Sequence, residues 1–141
     1  MKIKSIYISQ GLFCTERVFE SGFNLIFSEK NSTGKTTLMR CILYGLGYAV
    51  PGTKKFSIES CYIKVVIEKD DSTQITLCRS RADSIELTEA NMQYTYALPV
   101  QINELHEKIF GTNNEDIINN LLGAIYADQE KGWTLLNRGK A

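Results

Sequence analysis

The sequence predicts an α/β fold arranged around a phosphate-binding loop, with a mixed sheet, an antiparallel hairpin region and C-terminal helices. Three observations predict it. A short apolar segment, Phe23-Asn24-Leu25-Ile26-Phe27, runs directly into a polar loop from Ser28 to Gly34. Beyond Lys35, apolar residues recur at three- and four-residue steps, the period of one helix face. Further on, two strand-like segments flank the turn Asp70-Asp71-Ser72.

The elements follow in order. Lys2 to Ser9 alternates Ile3, Ile6 and Ile8 with polar neighbours and reads as a strand; turns follow at Gly11 and at Ser21-Gly22. Phe23 to Phe27 is short, largely apolar and rich in strand formers, as expected for a strand buried on both faces. Leu38, Met39, Ile42, Leu43 and Leu46 share a helix face that ends near Gly45 and Gly47. Val50 to Lys55 carries a Pro-Gly turn signal. Tyr62 to Glu68 and Gln74 to Arg79 form the hairpin, with further strands at Ser84 to Leu87 and Tyr94 to Leu98. From Pro99 the pattern turns helical, with Ile102, Leu105, Ile109 and Phe110 on one face and Gly111 as the stop. A last helix over Asn114 to Ala124 points Ile117, Ile118, Leu121 and Leu122 inward. Together these make one lobe, 1–141, with an antiparallel region near 56–98, a helical part near 99–125 and a polar loop near 126–133.

Composition narrows the function classes. With 141 residues, 43% hydrophobic and 23% charged, the chain can bury one ordinary core. Sixteen basic residues balance sixteen acidic ones, so bulk charge points to neither nucleic acid nor membrane. No apolar run approaches a bilayer span or a signal peptide, and a cytoplasmic, reducing setting is expected. Cys14, Cys41, Cys61 and Cys78 are irregularly spaced with a single histidine in the chain, which favours buried free thiols over a zinc site.

The loop Ser28-Glu29-Lys30-Asn31-Ser32-Thr33-Gly34-Lys35-Thr36-Thr37 carries the chemistry. Between a buried strand and an amphipathic helix, backbone N–H groups of Asn31, Ser32, Thr33 and Gly34 would wrap phosphate, and the helix N-terminus adds partial positive charge. Lys35 would neutralise the β- and γ-phosphates of ATP, Thr36 would ligate Mg2+ through its hydroxyl, and Thr37 would donate to the α-phosphate. The match departs from G-x-x-x-x-G-K-[ST] at the first glycine, where Glu29 stands. That carboxylate is expected to face solvent, because an inward one would repel polyphosphate.

Met1 to Tyr48 resembles the N-terminal segment of the SMC/Rad50/RecF/RecN family of ATP-binding-cassette-type ATPases. The likeness rests on Ile3 to Ile8, Phe23 to Ile26, Asn31 to Thr37, and Ile42-Leu43-Tyr44-Gly45-Leu46-Gly47. Glu29 and Ser32 replace two glycines of the family's loop. The resemblance implies that Tyr126 to Trp133 is a glutamine loop in which Gln129 completes the Mg2+ shell and positions the attacking water. It also implies a partner: the C-terminal half of the same head, bearing the Walker B acids and the Ser-Gly-Gly signature, neither of which is recognisable here. ATP would then join two heads, and coiled coils would carry the closure to DNA, in repair, chromosome maintenance or phage defence. This lobe alone is expected to be inactive in hydrolysis, with no membrane partner.

Other features take plainer readings. Val65-Val66-Ile67-Glu68 is better read as a hairpin edge than as a Walker B strand. His106, flanked by Glu104 and Glu107, reads as a surface histidine, and Lys54, Lys55, Arg79 and Arg81 as a solvated rim able to touch phosphate. Two alternatives remain beside the ATPase lobe: another P-loop enzyme, such as a kinase or a GTPase, and a module whose phosphate loop has decayed. A GTPase would need an Asn-Lys-x-Asp motif, which the chain lacks.

Overall fold

The computed structural model describes residues 1–27, 34–50 and 56–125, the side chains of 121–125 excepted. Its centre is one six-stranded sheet: β1 (Lys2–Gln10), β2 (Phe13–Val18), β3 (Tyr62–Glu68), β4 (Gln74–Arg81), β5 (Ser84–Glu89) and β6 (Met92–Ala97). The spatial order is β2-β1-β3-β4-β5-β6, and every neighbouring pair is antiparallel. Among the described residues, the expected mixed sheet is therefore corrected to a wholly antiparallel one. β3, expected at a hairpin edge, is an interior strand because β1 pairs along its other side.

Alternation explains which face is buried. Ile6 and Ile8 of β1, Ile63, Val65 and Ile67 of β3, Ile75 and Leu77 of β4, and Ile85 and Leu87 of β5 all point to one side and are buried. The opposite side carries the registered row Tyr7, Lys64, Cys78, Glu86 and Thr95, open to solvent. Turn chemistry fixes this register. In the β3–β4 turn Asp71 accepts from the Thr73 N–H at 2.9 Å, and Lys69 donates its N–H to the Thr73 carbonyl at 2.9 Å. Ala90 and Asn91 both take positive φ (47° and 66°), as a two-residue primed turn between β5 and β6 demands.

Helix α1 (Lys35–Gly45) lies on the buried face over β3 and β4. Its C-terminal half, Arg40 to Gly45, is buried, whereas Met39 near its start is 37% exposed. Met39 thus departs from the expected inward face, although Leu38 beside it packs against the core. Helix α2 (Ile102–Phe110) packs beside β6 and stops at Gly111, whose φ of 75° supplies the left-handed cap. Helix α3 (Glu115–Ile125) opens on Asn114, whose side chain accepts from the Asp116 and Ile117 N–H groups. On α3 Ile118 is buried, but Ile117 is 57% exposed, against expectation.

The largest departure is Phe23 to Phe27. These residues form no strand, and Phe23, Leu25 and Phe27 are 90%, 71% and 76% exposed. A segment apolar on both faces holds as a strand only between two neighbours that hydrogen-bond to it and two layers that cover it. No described residue supplies them. The chain is instead tethered upstream, where the Asn24 side chain accepts from the Glu20 N–H and donates to the Glu20 carbonyl, both at 2.9 Å. Of the thiols, Cys41 and Cys61 are buried as expected, while Cys14 on the edge strand β2 is exposed. Among the described residues, no helix is long and apolar enough to cross a membrane.

Candidate phosphate-binding site at the start of α1

The described part of the loop is Gly34 to Thr37, the entry into α1. Gly34 occupies the N-cap in the left-handed region (φ 94°, ψ 10°), a conformation that a side chain strains. Its carbonyl accepts the Leu38 N–H at 2.8 Å, closing the first turn. The first-turn N–H groups of any α-helix lack intrahelical acceptors. Gly34 itself offers no capping side chain, and no acidic residue stands in the first turn. Lys35, Thr36 and Thr37 are half-buried around these donors.

That donor set fits a polyphosphate with Mg2+. Backbone N–H groups and the positive helix end suit anionic oxygen, the Lys35 ammonium suits a terminal phosphate, and the Thr36 hydroxyl suits a hard cation. Among the described residues, no group of three or more His, Cys, Asp or Glu is placed to hold a metal. Thr36 would therefore serve as one ligand in a shell made largely of phosphate oxygen and water, the usual habit of Mg2+. Asn31, Ser32, Thr33 and Gln129, the other expected site residues, lie outside the described residues, as do Glu29, Lys54 and Lys55.

The far end of α1 is what holds this site in place. Gly45 meets β3 so closely that an added Cβ would lie 2.4 Å from a Val65 methyl and 3.2 Å from an Ile63 methyl. Arg79, expected on a solvated rim, is 2% exposed and turned inward under the helix end. It continues the inward row Ile75-Leu77-Arg79 of β4, and that parity is the signal by which its burial was readable. Arg81, by contrast, is exposed and pairs with Asp83 at 3.0 Å. His106, expected at the surface, is 4% exposed, and its Nε2 lies 3.1 Å from the Leu46 carbonyl. It belongs to the Ile102-His106-Phe110 row of α2, and its ring stacks near Tyr48 (4.7 Å) and Phe110 (5.3 Å). Burial pushes its pKa down to about 4, with the Leu46 bond opposing, so the ring is neutral and Nε2–H donates.

Beside the opposite margin, Arg17, Val18, Phe19 and the stretch from Asn24 to Phe27 line an open cavity of about 280 Å3. Phe13 and Val18 at the two ends of β2 are exposed as well, at 57% and 71%.

A family model described as an AAA domain matches residues 15–137. The chain belongs to that family, an ATPase-type, nucleotide-binding family whose members generally bind ATP with Mg2+. No curated protein matches the chain.

Proposed function

We propose that the chain is the ATP-binding N-terminal lobe of an SMC/Rad50/RecN-like ATPase head. The observation that carries the reading is the start of α1: a left-handed glycine and a first turn free of acids, formed by Lys35-Thr36-Thr37. Lys35 draws the β- and γ-phosphates to the helix end, and Thr36 holds Mg2+. Bound ATP supplies the phosphoryl group, while the chain's own residues orient it and neutralise its charge. Gln129 aligns the water, and a C-terminal half provides the catalytic acids.

The apolar margin from Phe13 to Phe27 supports this reading. Exposed aromatics next to a phosphate loop suit a surface that a second half covers, with Phe23 to Phe27 becoming a strand when a neighbour pairs with it. In the complete protein two such heads close on ATP and act on DNA in the cytoplasm, in repair, chromosome maintenance or defence against phage. Titration of a fluorescent ATP analogue with Mg2+ tests the core of the reading. Lys35→Ala should weaken binding at least about tenfold, the loss of one charge-assisted phosphate contact. Equal binding by wild type and Lys35→Ala would refute it.

A further inference from the structure

We propose that Arg79 is the positioning residue of the phosphate-binding helix, holding the C-terminal end of α1 so that Lys35 and Thr36 stand where phosphate needs them. The inference rests on the ATP-lobe reading above and assigns a role to a strand residue distant from the loop.

Arg79 spends its donors almost entirely on backbone carbonyls. Nη1 donates to the Tyr44 carbonyl at 2.7 Å and to the Tyr48 carbonyl at 2.8 Å. Nη2 donates to the Ala82 carbonyl at 2.7 Å, and Nε to the Arg81 carbonyl at 3.3 Å. The guanidinium carbon also lies over the Tyr44 ring, 3.7 Å from its centroid. One planar fork therefore ties together the last turn of α1, the segment leaving it and the β4–β5 turn. A lysine ammonium, with no fork, cannot reach all three.

Placement gives the clamp its consequence. Full burial is confined to Arg40–Gly45, while Lys35 to Leu38 are half-buried, so the helix is anchored most firmly at its Tyr44 end. A small tilt at the anchored end is amplified at Lys35, at the far end of an 11-residue helix. Buried among carbonyls at the negative pole of α1, the arginine charge also complements the dipole whose positive pole faces the phosphates. An apolar residue at this inward position would pack the core but take the arginine donors from the Tyr48 and Ala82 carbonyls and leave the Tyr44 carbonyl to the Gly47 N–H. The strand pattern calls for an apolar side chain here, and arginine at such a position is expensive unless the bonds do more than fill space.

The test compares Arg79→Gln and Arg79→Lys with Leu77→Ala, the preceding inward residue of the same strand and a control for lost packing alone. Two quantities are read well below every melting temperature: affinity for the Mg2+–ATP analogue, and hydrogen exchange at the Leu38 amide, which bonds to Gly34. For Arg79→Gln, affinity should fall about tenfold and Leu38 exchange should accelerate by a similar factor, with Arg79→Lys intermediate. For Leu77→Ala both should stay within about twofold of wild type despite a lowered melting temperature. If Leu77→Ala changes both readouts as much as the Arg79 variants do, Arg79 is only a core residue and the proposal is overturned. Should Arg79→Gln not fold, Arg79→Lys decides by the same criterion. If wild type binds no better than Lys35→Ala, the ATP reading fails. The exchange measurement then decides on its own: selective loss of Leu38 protection supports the clamp, and unchanged protection overturns it.

Discussion

Replacing Gly45 by alanine is expected to destabilise the fold by about 3 kcal/mol, although alanine is the better helix former. Two effects oppose each other. Glycine at a helix position costs about 1 kcal/mol against alanine, so propensity alone predicts a gain. Packing predicts the reverse, because the new methyl would sit 2.4 Å from Val65 Cγ2, where ordinary contact needs well over 3 Å. Val65 cannot swing aside: it is fully buried, β-branched and fixed in the interior strand β3. Helix α1 must therefore lift from the sheet, loosening Leu43 and Tyr44 along with Gly45, and overpacking wins. Melting should fall by on the order of 10 °C for a chain of this size. Val65→Ala, destabilising alone, should recover part of the loss in the double variant because it removes the clashing methyl. A Gly45→Ala protein that melts within a degree of wild type would mean that the close approach of α1 to β3 is absent.

The same contact shows what local sequence can and cannot convey. Helices α1, α2 and α3 and the hairpin Tyr62–Arg81 follow from periodicity, turn residues and stops such as Gly111, all signals contained within a few residues. The glycine-lysine entry into α1 is legible in the same way, since the left-handed glycine and the helix it opens are local. Arg79 and His106 were misjudged because residue type outweighed parity. Arg79 holds the inward position after Ile75 and Leu77, and His106 lies midway between Ile102 and Phe110 on one helix face. A polar side chain is accepted at such positions when fixed carbonyls meet it, and those of Tyr44, Tyr48 and Leu46 come from elsewhere in the chain. Phe23 to Phe27 failed for another reason. Its composition specifies a strand buried on both faces, but composition does not say which chain supplies the neighbours.

His106 should make the fold acid-sensitive from about pH 6.5 downward. An unfolded histidine titrates near 6.5. Folded, His106 is held at about 4 by burial, despite the hydrogen bond to Leu46. The folded value is the depressed one, so protonation favours the unfolded chain: the neutral ring's stabilisation is complete above about pH 6.5 and is lost as pH falls toward 4. A shift of that size corresponds to about 3 kcal/mol across the window, a large share of what a domain of this size possesses. Glu89, held below its usual range by the Lys69 hydrogen bond, also loses stabilisation in acid, but lower on the scale and equally in any His106 variant. Subtraction therefore isolates the histidine. His106→Leu keeps the volume between Tyr48 and Phe110 but leaves the Leu46 carbonyl without its donor, so it should be less stable than wild type at pH 7.5. Urea unfolding at pH 7.5 and pH 4.5 should show wild type losing about 2–3 kcal/mol more than His106→Leu over that interval. Parallel losses in the two proteins would place His106 in water and detach α2 from the end of the phosphate-binding helix.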